Sequence, residues 1–207
     1  MTGNNRIRTC AFCRPDSRTP WQALAKYAPG ARQRRFSKGA TIYEQGGAAE
    51  GVFVLCRGSV ALLDATRDKQ PCLAGIVFPG QPFGLDCLTG EGRRNCRAQA
   101  RQDSVACYIP ASELQDVAHG RSGLLWGSFV QLAKSAEALA QERALLTGSS
   151  LSAQLDYLHR LYADRDGTAR LKQKEVAALL GVAPETVCRE IRKKKASSVD
   201  KTKVASS

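Results

Sequence analysis

The chain reads as an α+β protein: an antiparallel β-roll, then a long helix, then a small all-helical domain. Three observations predict this. Between Phe36 and Pro110 short apolar or alternating runs (TIY, GVFVLC, SVALL, LAGIVF, VACYI) are separated by turns containing Gly, Pro and Asp, the pattern of an antiparallel sandwich or barrel. After Pro110 the apolar period lengthens to that of a helix, with Trp126, Phe129, Val130, Ala133 and Leu132, Ala136, Leu139, Leu146 on one broad stripe. Beyond Thr147-Gly148-Ser149-Ser150 two short helical patterns meet across a glycine. A chain of 207 residues divides naturally into one larger and one smaller domain.

Taken in order, residues 1–20 are polar and basic, carry Cys10 and Cys13 as a Cys-x-x-Cys pair, and read as an irregular arm. Trp21 to Ala28 has apolar residues at helical spacing, and Pro29-Gly30 ends it, because Pro disfavours helix in its predecessor and Gly tolerates a left-handed cap. The β-roll then spans 21–110 together with that helix. Residues 111–147 are expected to form the long helix, although Gly120, Gly123 and Gly127 weaken its start. Its stripe is wider than one sheet face needs, which points to packing on a partner helix and hence to a homodimer; coverage of the roll alone is the other reading. A helical domain occupies 148–207, opened by a helix from Leu151 to Tyr162 that Ser150 or Ser152 can cap.

The net charge of +12 and the pI near 9.6 favour polyanionic partners, either nucleic acid or an anionic membrane surface. No apolar run approaches the ~20 residues of a membrane-spanning helix, and the start MTGNNRIRTC lacks the apolar core of a secretory signal, so a cytoplasmic location and no membrane partner are expected. In a reducing cytosol eight cysteines default to small buried hydrophobes, some of which can serve as ligands or sensors. Two histidines exclude a His-rich metal site and leave thiolate as the available ligand chemistry. With no dinucleotide fingerprint, no P-loop and no His/Asp constellation, the chain is not expected to be an enzyme.

Residues 171–195, LKQKEVAALLGVAPETVCREIRKKK, form the most informative stretch. A first helix over about Lys172 to Leu180 turns Val176, Leu179 and Leu180 inward, Gly181 permits a sharp turn, and Ala183-Pro184 opens a second helix that buries Val187 and Ile191. Small Ala177 sits where the two helices approach. This is the pattern of a helix-turn-helix whose second helix exposes Glu185, Thr186, Cys188, Arg189, Arg192 and Lys193. Such a helix fits the major groove of double-stranded DNA, with Arg189 able to bond guanine O6 and N7, Glu185 able to accept from cytosine N4, and the run Arg192 to Lys195 suited to phosphates. A solvated charged face on a helical hairpin carries the same spacing.

With these residues in view, the chain resembles the Crp/Fnr regulators over nearly its full length. The stretch FSKGATIYEQGGAAEGVFVLCRGSVALL, with Gly39, Gly46 and Gly58 at turn positions, followed by FPGQPFGLD, resembles that family's cupin-like, cyclic-nucleotide-binding-like roll. Glu185-Thr186-Val187-Cys188-Arg189 resembles the Fnr-type pattern Glu-x-x-Ser-Arg, which implies base contacts by Glu185, Cys188 and Arg189. Cys stands in place of Ser, a weaker donor, so readout there should differ. The resemblance implies a homodimer on two-fold-related DNA, with RNA polymerase as a further partner, and a wing after the second helix. Here only Val199 and Val204 remain as wing candidates, so the wing is expected to be reduced, its phosphate contacts falling to Lys193, Lys194, Lys195, Lys201 and Lys203 or the tail being disordered.

Cofactor expectations also come from the resemblance. The Crp branch holds cyclic AMP with a Glu after the Gly of its phosphate cassette and an Arg-Ser pair. In this chain Leu85 follows Gly84 and the pair is Arg94-Asn95, so cyclic AMP is disfavoured and Arg94 is expected as a solvated turn residue. The Fnr branch keeps a core cluster ligand where Cys107 stands in SVACYIP. With Cys10 and Cys13 this supplies three candidate metal ligands, one short of the four thiolates of an iron-sulfur cluster; a fourth would be Cys56, Cys87, Cys96 or a different residue type. A dithiol/disulfide switch and inert thiols are the other readings. Cys56 and Cys72 are expected as strand residues, and Cys188, beside Arg189, as a redox-switch candidate whose oxidation blocks DNA contact.

Overall fold

The computed structural model describes residues 19–65, 72–161 and 171–204. The chain divides into two compact units, up to Ser135 and from Ala136.

The first unit opens with α1 (Pro20–Tyr27). Thr19 caps it, its hydroxyl accepting from the Gln22 N–H while the Gln22 side chain accepts from the Thr19 N–H. Among the described residues eight strands follow: β1 (Arg32–Phe36), β2 (Thr41–Tyr43), β3 (Gly51–Arg57), β4 (Val60–Asp64), β5 (Cys72–Val77), β6 (Pro82–Phe83), β7 (Arg97–Ala100) and β8 (Ser104–Pro110). They form two antiparallel four-stranded sheets, ordered β1-β8-β3-β6 and β2-β7-β4-β5. The sequence runs anticipated as strands are therefore strands.

Strand alternation explains why β3 and β8 are apolar throughout. Val52, Val54 and Cys56 of β3, with Val105, Cys107 and Ile109 of β8, join Trp21, Leu24 and Ala25 of α1 in one buried cluster. The intervening Phe53, Leu55, Ala106 and Tyr108 join Val60, Val77, Phe83 and Ala98 in a second cluster inside the roll. Both faces of these two central strands are covered, so the signal is a continuous apolar run. One turn shows its need for glycine: Gly58 has φ 93°, and a Cβ there would sit 2.8 Å from the Asp103 carbonyl oxygen.

The long helix expected from residue 111 is two helices, α2 (Ala111–Gly120) and α3 (Ser122–Gly148), interrupted at Arg121. Leu114 and Val117 of α2 and Leu124 and Leu132 of α3 pack on the first cluster. Gly127, which weakens helix propensity, stands where a Cβ would come 3.1 Å from Pro20 Cγ, so close approach to the start of α1 accounts for it.

In the second unit the later part of α3 is followed by α4 (Leu151–Leu161), α5 (Gln173–Leu180) and α6 (Pro184–Val204). Leu155 and Leu158 of α4, Val176 and Ala177 of α5 and Val187 of α6 are its buried apolar residues. α6 runs on as helix to Val204, so among the described residues no strand follows it. Val199 and Val204 thus lie in helix, which corrects their assignment as wing candidates: nothing in ASSVDKTKV breaks the helix, since it holds neither Pro nor Gly.

Candidate nucleic-acid interface and thiol sites

The turn between α5 and α6 is built by Gly181, whose φ of 64° lets its N–H reach back to the Ala177 and Ala178 carbonyls. Glu175 closes the start of α5, accepting from the Lys172 N–H at 2.7 Å. Val187, fully buried, fixes the roll of α6 about its axis. Residues 185, 189 and 192 are spaced i, i+4, i+7, so Glu185, Arg189 and Arg192 share the opposite face, and all three are exposed, as is Lys193 on its flank. Thr186 and Cys188 are half-buried at its edges. Cys188 is not a spectator: its thiol donates to Gln173 Oε1 at 2.9 Å, tying α6 to the start of α5.

Lys194 departs from the expectation that it serves phosphates. Its ammonium pairs with Asp156 at 2.6 Å and donates to the Ser152 carbonyl, both on α4, because three residues beyond Ile191 the helix has turned inward. That bond holds the Asp156 carboxyl below the usual carboxylate range.

Arg94 supplies the second correction. It is 4% exposed, not a solvated turn residue. Its guanidinium pairs with Asp86 at 2.6 Å, donates to the carbonyls of Gly84 and Gly51 at 2.7 Å each, and lies 4.4 Å from the Tyr43 ring centroid. Asp86 also accepts from the Asn95 N–H at 3.0 Å. The cation is therefore paired within the roll by a carboxylate two residues after Gly84, while its Nε is buried without a hydrogen-bond partner. Around it Tyr43, Phe53, Phe83 and Tyr108 pack ring to ring at 5.1–6.2 Å. Burial pushes the thiols of Cys87 and Cys96 and the Tyr43 hydroxyl up from their ordinary values. Sequence reading missed this cluster because Arg-Arg-Asn between two turns looks like any solvated loop.

Of the candidate metal ligands, Cys10 and Cys13 lie outside the described residues. Cys107 is buried on β8, where its Sγ lies 3.5 Å from the Sγ of Cys56 on β3. Among the described residues no three His, Cys, Asp or Glu side chains gather as a metal site. Cys56 and Cys72 occupy strands as expected.

On α3, Leu125, Trp126, Phe129, Leu139 and Leu145 are exposed, Trp126 by 66% and Phe129 by 60%, the two rings stacked at 5.7 Å. Among the described residues no helix is long and apolar enough to cross a membrane.

Comparison with known proteins sets these features in a lineage. The cyclic nucleotide-binding domain profile matches residues 33–120. The fumarate and nitrate reduction regulatory protein of Escherichia coli K12 is 24% identical over 168 residues, which cover 76% of this chain and 66% of that protein, and its Salmonella typhimurium counterpart gives the same figures. Among solved structures, the c-di-GMP-responsive global regulator CLP of Xanthomonas campestris superposes with a TM-score of 0.70 at 18% identity, covering 86% of this chain and 92% of CLP. FixK2 of Bradyrhizobium japonicum gives 0.66 at 19%, covering 81% and 86%. The fold is shared along the chain, the cyclic nucleotide-binding domain is recognisable by sequence over residues 33–120, and the chain is similar to regulators of the Crp/Fnr type.

Proposed function

We propose that this chain is a sequence-specific, DNA-binding transcription regulator that works as a homodimer. The observation that carries the reading is the exposed Glu185, Arg189 and Arg192 stripe on α6, held outward by buried Val187 on the opposite side. A helix of this kind, preceded by a short turn and a supporting helix, suits insertion into the major groove, where a carboxylate and a guanidinium one turn apart can address cytosine and guanine edges. The net charge of +12 supplies the phosphate attraction that such binding needs. The exposed Leu125, Trp126 and Phe129 on α3 support pairing with a second copy, which presents two reading helices to a two-fold-related site. RNA polymerase contact belongs to the same proposal, as does a redox or oxygen signal acting through cysteines.

Cyclic AMP is disfavoured for a physical reason beyond the missing Glu after Gly84. Arg94 already holds a carboxylate, so an incoming phosphate must displace Asp86 and leave a buried charge behind.

Selection of bound duplexes from a random pool at about 0.15 M salt, a Debye length of about 8 Å, tests the reading. A two-fold-related consensus is expected, bound roughly a thousandfold or more tighter than unselected duplex. Equal affinity for selected and unselected DNA contradicts it.

A further inference from the structure

Of the residues on α6 that the sequence assigns to base contact, Cys188 is the one that the exposed stripe of Glu185, Arg189 and Arg192 does not include. It is half-buried beside the stripe, and its thiol is already engaged with Gln173 Oε1 at 2.9 Å, fifteen residues back along the chain. Gln173 opens α5 and is exposed, between exposed Lys172 and Lys174. Buried Val176 and Ala177 of α5 and Val187 of α6, next to Cys188, pack the two helices together across the Gly181 turn. The thiol and the amide are therefore brought together by the core of the domain, not by two free side chains meeting on its surface.

That bond decides what each partner can offer DNA. A thiol has one hydrogen to give and accepts poorly, so with its hydrogen on Gln173 the Cys188 side chain has no donor left for a base edge. Gln173 has its amide oxygen held to α6, and the two Nε2 hydrogens are what it has to give. A glutamine that reads adenine presents oxygen and nitrogen to the base together. With Oε1 directed to Cys188, donation by Nε2 is the mode that remains, and phosphate oxygens accept it from any sequence. Lys172 and Lys174 bring positive charge to the same place. Glutamine loses as much rotamer freedom as almost any side chain when it is fixed, and the thiol removes part of that loss before DNA arrives.

We infer that Cys188 is a positioning residue and not a base reader: it holds the Gln173 amide so that Nε2 donates to a phosphate oxygen of the DNA backbone. The inference rests on the regulator reading above and adds to it a DNA contact, Gln173, that motif and spacing do not single out. Glu185 and Arg189 keep the base contacts proposed for them, while position 188 acts on affinity for the backbone. Cys in place of the Ser of the Glu-x-x-Ser-Arg pattern thus changes the task of the position as well as the strength of its donor.

The test measures binding of the full chain, as Gln173→Ala, Cys188→Ala, Cys188→Ser and the Gln173→Ala/Cys188→Ala double variant, to the selected duplex and to duplexes changed at each base pair. Gln173→Ala is expected to weaken binding about three- to tenfold, the worth of one hydrogen bond, evenly across the duplexes. Cys188→Ala should cost less, equally evenly, and nothing further in the Gln173→Ala background, because it acts only through Gln173. Cys188→Ser keeps a donor and should bind as the parent does. A single methylphosphonate moved along the backbone should find a phosphate in each half-site whose neutralisation weakens the parent more than it weakens Gln173→Ala. Circular dichroism confirms that each variant is folded. A changed base preference in Cys188→Ala, the same loss from Cys188→Ala in both backgrounds, or no phosphate that separates Gln173→Ala from the parent overturns the inference. A parent that binds all duplexes alike contradicts the regulator reading instead. The bond itself is then judged without DNA by the side-chain amide resonances of Gln173, which should move in Cys188→Ala and stay in Cys72→Ser; resonances unmoved in Cys188→Ala overturn it.

Discussion

At the scale of single residues, the chain's chemistry depends on whether each charged side chain is already partnered inside the fold. Arg189 and Arg192 project into solvent from α6, whereas Lys194 is bound to Asp156 on α4 and Arg94 to Asp86 within the roll. Lys194 and Asp156 side chains are 28% and 61% exposed, so their pair is a screened surface contact worth at most about 1 kcal/mol. Arg94 and Asp86 are 3% and 7% exposed, and removing one leaves the other buried without its counter-charge. Asp86→Ala is therefore expected to lower stability by about 3–5 kcal/mol in urea unfolding, while Leu88→Ala, at an exposed position, stays within about 0.5 kcal/mol. A small effect of Asp86→Ala would mean that Arg94 has a second anionic partner.

At the scale of elements, α3 carries two surfaces. Leu124 and Leu132 pack inward on the roll, and Leu125, Trp126 and Phe129 face away from it. An apolar group of that size on a helix that already has its own core contact is the signature of association. Trp126→Glu combined with Phe129→Lys is expected to convert the proposed dimer to monomer in sedimentation equilibrium with unchanged helical content. It should also weaken operator binding, because each copy then meets its half-site alone. A double variant that sediments with the parent mass removes this face from the dimer interface. α6 makes the complementary point: its inward residue Val187 is buried completely, while Glu185, Arg189 and Arg192 are exposed on the opposite face.

At the scale of the molecule, the parts legible in the sequence were those with a local signal. The runs TIY, GVFVLC and VACYI read as strands, WQALAKYA as a helix, and Gly181 as the turn between α5 and α6, because period and turn chemistry are short-range properties. What escaped was set by pairing between distant segments. The 3.5 Å approach of Cys56 to Cys107 depends on the β3–β8 register, and the burial of Arg94 depends on Asp86 and the Gly51 carbonyl meeting it from elsewhere in the chain. The break at Arg121 was half-visible in Gly120 and Gly123; the continuation of α6 to Val204 was hidden by the expectation of a wing. Base reading by α6, as proposed, is tested by the binding preference of Arg189→Ala against the parent, position by position across the selected site. Preference should vanish at one base pair in each half-site, with a loss of about 1–3 kcal/mol on the parent consensus, while Lys193→Ala lowers affinity evenly and reduces the salt slope by about one. An unchanged preference profile in Arg189→Ala would contradict base reading by α6.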